Sequence, residues 1–312
     1  MGQMNTSQAR VINPVLSQVA RGYKNQAFVG NRLFPIVPVA QRGGTVIQFG
    51  AEQFVLEETN RSPGSNVAKS NFNYANATFG LRQHALSGKV PVELMEDASA
   101  VPGIDLGKIA VNNTMEKIGL RVEVEQAQLA RNTANYAVSN KVTLSGTSQW
   151  SHASSTPAQD IAAASEVIRS LVGVYPNLLT LSARVFTALR NHPAIKDHFK
   201  YTGRESITTE MLAQYLNVDE VAVGKSIHKE SLTATPQDVW GKDAILSFSA
   251  VEGLASMGSP SAFYTYRLKN YPIVEKAYYD PDTRSWIYPV VNEVSPVIAG
   301  AEAAFLFKDA VA

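Results

Sequence analysis

Three short runs in the sequence carry residue types suited to chemistry, and in each a required member is missing. Gly224, Lys225 and Ser226 read like the end of a phosphate loop, in which backbone amides and a lysine cradle phosphate oxygens. The glycine that must open such a loop is replaced by Asp219. Asp280 and Asp282 begin like a calcium loop, but Arg284 stands where a third oxygen ligand belongs and the sharp-turn glycine is absent. A type I turn accounts for the two acids. Gly258, Ser259, Pro260 and Ser261 miss the spacing of a nucleophile elbow. His84, His152, His192, His198 and His228 form neither an HExxH motif nor a metal-binding pair on one helical face, and read as surface or capping residues. Glu57 and Glu58, like Glu96 and Asp97, are adjacent rather than opposed, although folding can still bring distant carboxylates together. The sequence therefore nominates no catalytic, cofactor-binding or metal-ligating residue, and no cofactor is expected.

Composition narrows the classes further. The chain has 312 residues, 45% hydrophobic and 18% charged, below the roughly 25% charge of an ordinary soluble domain. A surface short of charge tends to meet other protein. A net charge of +1 argues against wrapping nucleic acid as the main task. No helix-turn-helix, zinc finger or single-strand-binding pattern is present, so any DNA contact would be nonspecific, through a basic arm. Cysteine is absent, which removes disulfides and thiolate chemistry and suits assembly in a reducing cytoplasm. No apolar run reaches the length of a membrane span and no secretory leader pattern opens the chain. The match of Met1, Gly2 and Thr6 to a myristoylation pattern reads as chance without a second membrane signal.

The elements that would position any function start with a long helix expected over 104–132. Val111, Met115, Ile118, Val122 and Leu129 line one stripe, and Lys108, Glu116, Lys117, Glu123 and Gln126 form a solvated opposite face. Ahead of it, residues 1–45 carry five basic residues before the first acid, Glu52. NPVLSQVARGY suits a short helix ended by Gly22, and the prolines of LFPIVPVA favour extended chain. Residues 46–90 read as a long two-stranded excursion with a Gly-, Ser-, Pro- and Asn-rich tip, an arrangement marginal in water without a platform. After a polar loop, strands and helices alternate over 156–262 in an α/β lobe, with Thr156, Pro157 and Gln159 as N-cap, first-turn proline and capping-box partner of its first helix. Residues 263–312 read as strands that return beneath the long helix, which makes the lobe an insertion.

Charge links two of these parts. Between Glu58 and Glu93 there are bases but no acid, whereas acids gather along the approach to the helix and on the helix itself. Arg61, Lys69, Arg82 and Lys89 on the excursion are thus expected to meet Glu116, Glu123 and Glu125, within a subunit or between subunits. Two solvated faces that never meet are the alternative.

The order of parts resembles the major capsid protein of tailed bacteriophages. NPVLSQVARGYKNQAFVGNRLFPIVPV is similar to the start of many phage coat proteins, and TALRNHPAIKDHFKYT, LAQYLNVDEVAVGKSI and WGKDAILSF are similar to segments of their axial lobes. The resemblance implies an α+β fold of the Hong Kong 97 type. Its parts would be an N-terminal arm (1–45), an extended loop (46–90), a peripheral domain with the spine helix (91–155), an inserted α/β axial domain (156–262) and the peripheral strands (263–312). It implies no catalytic residues. It also implies a coat subunit that assembles in the bacterial host cytoplasm, through pentamers and hexamers, into an icosahedral virion shell around double-stranded DNA. Expected partners are further copies of the chain, a portal, a scaffolding protein, a decoration protein and nonspecifically contacted DNA, with no membrane. No long charged helical segment precedes the arm, so a separate scaffold or prior cleavage is expected. Two other classes remain open: an encapsulin shell around a cargo enzyme, and a cytoplasmic enzyme with its site in the cleft between the lobe and the strand body.

Overall fold

A computed structural model describes residues 12–23, 25, 27–46, 60, 77–99, 105–200, 207–250 and 261–312. The arm supplies helices α1 (Pro14–Gly22) and α2 (Gly30–Leu33), then strand β1 (Ile36–Val39). Strands β2 (Gly43–Val46), β3 (Ala77–Gly80) and β4 (Arg82–Pro91) lead to α3 (Val92–Ser99) and the long α4 (Leu106–Ala130). Strand β5 (Lys141–Thr143) precedes α5 (Pro157–Val172), β6 (Leu178–Ser182), α6 (Ala183–Asn191), α7 (Pro193–Phe199), α8 (Thr209–Leu216) and β7 (Glu220–Gly224). The small hairpin β8 (Ile227–His228) and β9 (Gln237–Asp238) is followed by β10 (Ala244–Ser247), β11 (Phe263–Leu268), β12 (Ile273–Val274), β13 (Tyr278–Asp280), β14 (Ser285–Ile298) and β15 (Ala304–Lys308).

One sheet is built around β14. Its 14 residues take β11, β12 and β13 in succession along one edge and β4 along the other, from Ser285 opposite Pro91 to Val294 opposite Arg82, while β1 adds parallel to β11. The expected excursion over 46–90 is corrected here, because Arg82–Pro91 is a ladder strand of the body. Of the expected excursion, β2 and β3, paired from Gly43 opposite Gly80 to Val46 opposite Ala77, form a separate two-stranded ribbon; the stretch expected to extend it, 47–76, lies outside the described residues, apart from Asn60. The N-terminal half of α4 packs Val111, Met115 and Ile118 with Val290 and Tyr288 of β14 and with Leu16 and Ala20 of α1. Asn13 caps α1 by accepting from the Leu16 amide at 3.1 Å. Ser17 fastens α1 to the sheet edge, its hydroxyl accepting from the Val274 amide at 2.9 Å.

The second sheet, ordered β5-β15-β10-β6-β7, is covered on both faces. Leu179, Leu181, Leu246 and Phe307 share a core with Ile161 and Ile168 of α5, Leu189 of α6 and Leu212 of α8. On the other face, Leu178, Ile245 and Leu306 share a core with Leu33 and Phe34 of the arm and Ala127 of α4. Such two-sided burial explains why these strands read as continuous apolar runs, as in LLTLS, rather than alternating ones. It also corrects two expected boundaries. The closing strand β15 packs Leu306 against the C-terminal half of α4 but joins the lobe sheet, between β10 and β5, rather than the sheet of the other late strands, and β5 and the fully buried Trp150 belong to the lobe although they precede residue 156.

The long helix spans 25 residues, about 37 Å at ~1.5 Å per residue, with the Asp105 carboxylate accepting from the Lys108 amide at 3.0 Å as its N-cap. Its stripe is buried as expected at Val111, Met115, Ile118 and Val122. The expected solvated face holds at Lys108, Glu116 and Lys117, which are exposed, and fails at Glu123 and Gln126, 2% and 1% exposed, because the arm and the lobe close over the C-terminal half. At α5, Pro157 takes the first turn but Thr156 makes no side-chain cap, and Asp160 is engaged by the Trp150 indole at 2.9 Å. Helices α3 and α7 were not anticipated; α7 is a seven-residue turn started by Pro193.

Candidate inter-subunit surface

The surface expected to meet a neighbour divides into charges that stay exposed and charges used inside the subunit. Arg82 and Lys89 are exposed on β4, and Glu116 is exposed on α4, where the Asn25 amide reaches it at 3.5 Å. Arg61 and Lys69 lie outside the described residues. Glu125 is committed within the chain: it pairs with Arg121 one turn back at 2.9 Å and faces His84 of β4 at 3.7 Å. Burial is the main cause that holds the His84 imidazole below its ordinary value of 6.5; Glu125 opposes this, and Arg121 and Arg82 add to it.

Glu123 is removed from the inter-subunit set. Its Oε1 accepts from the Val29 amide at 3.0 Å and the Trp240 indole at 2.7 Å, and its Oε2 accepts from the Gly30 amide at 2.8 Å. Arm, long helix and lobe thus meet on one carboxylate, and desolvation pushes its pKa up despite the three donors. Residue 30 must be glycine, since a Cβ would run into the Gln126 amide and the Glu123 carboxylate. Neither can yield freely, because Gln126 donates to the Thr265 hydroxyl at 2.8 Å.

A second buried carboxylate, Asp243, was missed by sequence reasoning. Its Oδ2 takes Arg131 at the end of α4 at 2.5 Å and Lys308 of β15 at 2.9 Å, while its Oδ1 accepts from the Asp309 amide at 2.9 Å. Arg131 also donates to the Val239 carbonyl at 3.0 Å. Gly241 holds φ +57° directly over that guanidinium, which leaves no room for a side chain. The legible signal was the Gly-Lys-Asp turn before an apolar strand, which marks a turn but not its ion pairs.

The residues inspected for chemistry have structural duties. Gly224 of the apparent phosphate loop packs under the Trp240 ring, where a Cβ would collide. Asp280 is consumed by its own turn, accepting from the Asp282 amide at 3.2 Å and the Thr283 hydroxyl at 2.7 Å. His192 is buried, with Nε2 3.2 Å from both the Ser155 hydroxyl and the His152 carbonyl. Among the described residues, no three His, Asp or Glu side chains gather as metal ligands, and no helix is long and apolar enough to cross a membrane.

Comparison with known proteins assigns this architecture. Residues 128–287 match the family model for phage major capsid protein E. The major capsid protein of Burkholderia phage BcepMu is 31% identical over 313 residues, covering 99% of each chain. The chain belongs to the phage major capsid protein family. A crystal structure of a phage-related protein from Bordetella bronchiseptica RB50 is 39% identical, with a TM-score of 0.85 over 97% of this chain and 99% of that one. An encapsulin complex from Synechococcus elongatus PCC 7942 matches with a TM-score of 0.54 at 12% identity, over 99% and 96% of the two chains, which shows a shared fold alone. This capsid protein is therefore a coat subunit of mixed helix and sheet, and its functional surfaces are the ones it turns toward other chains.

Proposed function

We propose that this coat protein closes into an icosahedral bacteriophage shell of the Hong Kong 97 type, through pentamers and hexamers, around double-stranded DNA. The arm is 1–45, the extended loop 46–81, and the spine helix α4 belongs to a peripheral body completed by β4 and β11–β14. The axial lobe is 156–262 together with β5 and β15. The observation that carries this reading is the separate β2–β3 pair. Its base packs Val46 and Phe79 on Tyr266 of the body, and its two strands are paired in register at the point where residues 47–76 continue from them. A ribbon of that kind gains stability when laid on another chain, adding interface without enlarging the core. Repeating heterologous contacts of this sort close into rings.

Arg61, Lys69, Arg82 and Lys89 would face a neighbour's Glu116 and the acids leading into its spine helix. Glu125 contributes only its remaining lone pairs, and Glu123 is internal. The role is structural, with no catalytic residue assigned. Scaffolding protein, portal and decoration protein are the further partners, DNA contact is nonspecific, and assembly takes place in the bacterial cytoplasm before the subunit resides in the virion. Expressed alone and then with its neighbouring genes, the protein should elute as large particles and show uniform shells or capsomer rings by negative-stain microscopy. A monomer or dimer under both conditions would overturn the reading. Shells filled by a co-expressed enzyme rather than DNA would favour an encapsulin.

A further inference from the structure

A groove of about 1000 Å³ opens between the arm, one flank of α4, the inner face of β11 and β14, and the rim of the lobe sheet. Phe28, Ile36 and Met115 give its mixed lining an apolar patch. Alternation along β11 decides what its floor carries. Tyr264 and Tyr266 turn away to pack with Val37, Val39 and Phe79, so Thr265 and Arg267 point toward α4. Thr265 is satisfied by Gln126. Arg267, two residues on, has no hydrogen-bond or ion-pair partner among the described residues.

Three acids line the same groove: Asp219 lies at its lobe rim, and the other two are engaged within the chain. Glu123 is held by Val29, Gly30 and Trp240, and Glu220 is paired with Arg32. Burial lowers the pKa of the Arg267 guanidinium, and no counter-charge among the described residues offsets it. A desolvated cation without an anion weakens a fold, and a partner that supplies the anion recovers the loss.

We propose that this groove docks an extended acidic and apolar peptide segment of a separate protein, its carboxylate pairing with Arg267 and its apolar side chains lying on Phe28, Ile36 and Met115. Charge complementarity selects the carboxylate, and guanidinium geometry suits a two-bond pair with it. The volume is that of a ligand pocket, whereas an interface between two copies needs a broad patch of roughly 800 Å² on each. The lining acids Glu123, Asp219 and Glu220 disfavour a nucleic-acid backbone. The inference stands apart from shell closure, because it concerns the isolated subunit.

Two measurements on the purified full-length subunit test it. Fluorescence anisotropy follows a labelled Ser-Leu-Phe-Glu-Leu-Ser peptide and its Gln counterpart. The Glu peptide should bind saturably, and both the Gln peptide and the Arg267→Gln subunit should show affinity weaker by roughly tenfold or more. Without peptide, Arg267→Met should melt higher than the parent, since it removes an uncompensated charge. No saturable binding, equal binding of the two peptides, or a lower melting temperature for Arg267→Met would overturn the proposal. Displacement of the peptide by duplex DNA would reassign the groove to phosphate. Loss of subunit self-association in Arg267→Met without peptide would reassign it to a second copy, and either result also overturns the proposal.

Discussion

The junction beneath the lobe and the ribbon at the edge of the body use charge in opposite ways. At the junction, Glu123 and Asp243 are 2% and 3% exposed, and every bond they make ends within the subunit. Along β4, Arg82 and Lys89 stay in solvent, and the exposed acid Glu116 on α4 makes a long contact with Asn25. The first arrangement fixes three parts of one chain into a single body. The second leaves charges available for another chain. A subunit that must keep its shape while forming several different contacts needs both, and the difference separates variants that break folding from variants that break assembly.

The largest effect on stability should come from the junction. Asp243→Ala leaves Arg131 and Lys308 partly buried without an anion, and chemical denaturation should show a loss of about 3–5 kcal/mol. A loss below about 1 kcal/mol would mean that the pair is no tie at all.

Glu123→Gln should cost less, about 1–3 kcal/mol, because one of three accepted hydrogen bonds becomes a donor facing a donor. Its pH signature is distinct. The folded-state pKa of Glu123 is raised above its ordinary 4.5, so the folded form holds its proton more tightly than the unfolded chain. Its contribution is full below that value and is lost as pH rises through the folded pKa. Thermal melts across this range should show that decline in the parent and not in Glu123→Gln.

His84 lies between the two regions and titrates in the opposite sense. Its folded pKa is lowered, so stability from this group is present above its ordinary 6.5 and falls as pH drops below that value. His84→Gln should flatten the slope there while leaving the Glu123 slope in place. A parallel shift of the whole curve would show that His84 does not report on the contact between β4 and α4.

Much of this division was legible in the sequence. Asn13 before Pro14, the four-three-four spacing of Val111, Met115, Ile118 and Val122, and Ser182 ahead of ARVFTALRN each carry a local physical reason, and the structure uses them so. The coat-protein assignment was legible as well, from the order of parts and the quoted runs. What local pattern could not supply was long-range pairing. Glu123 and Gln126 look like solvated helix residues until Gly30 and Trp240, far off in the chain, arrive over them. β15 has the same apolar look whether it joins the lobe sheet or the sheet built around β14. Arg267 stands out only once the described residues give it no partner, although its place in the alternation of FYTYRL already put it on the face of Thr265.

The most direct test of the account reverses the ribbon charges. Arg61→Glu, Lys69→Glu, Arg82→Glu and Lys89→Glu combined should leave the melting transition close to the parent's, within about 1 kcal/mol in stability, since exposed charges contribute little to the fold. Negative-stain microscopy should then show shells from the parent and none from the variant. Unchanged shells from a folded variant would contradict the claim that these charges are kept for a neighbouring subunit.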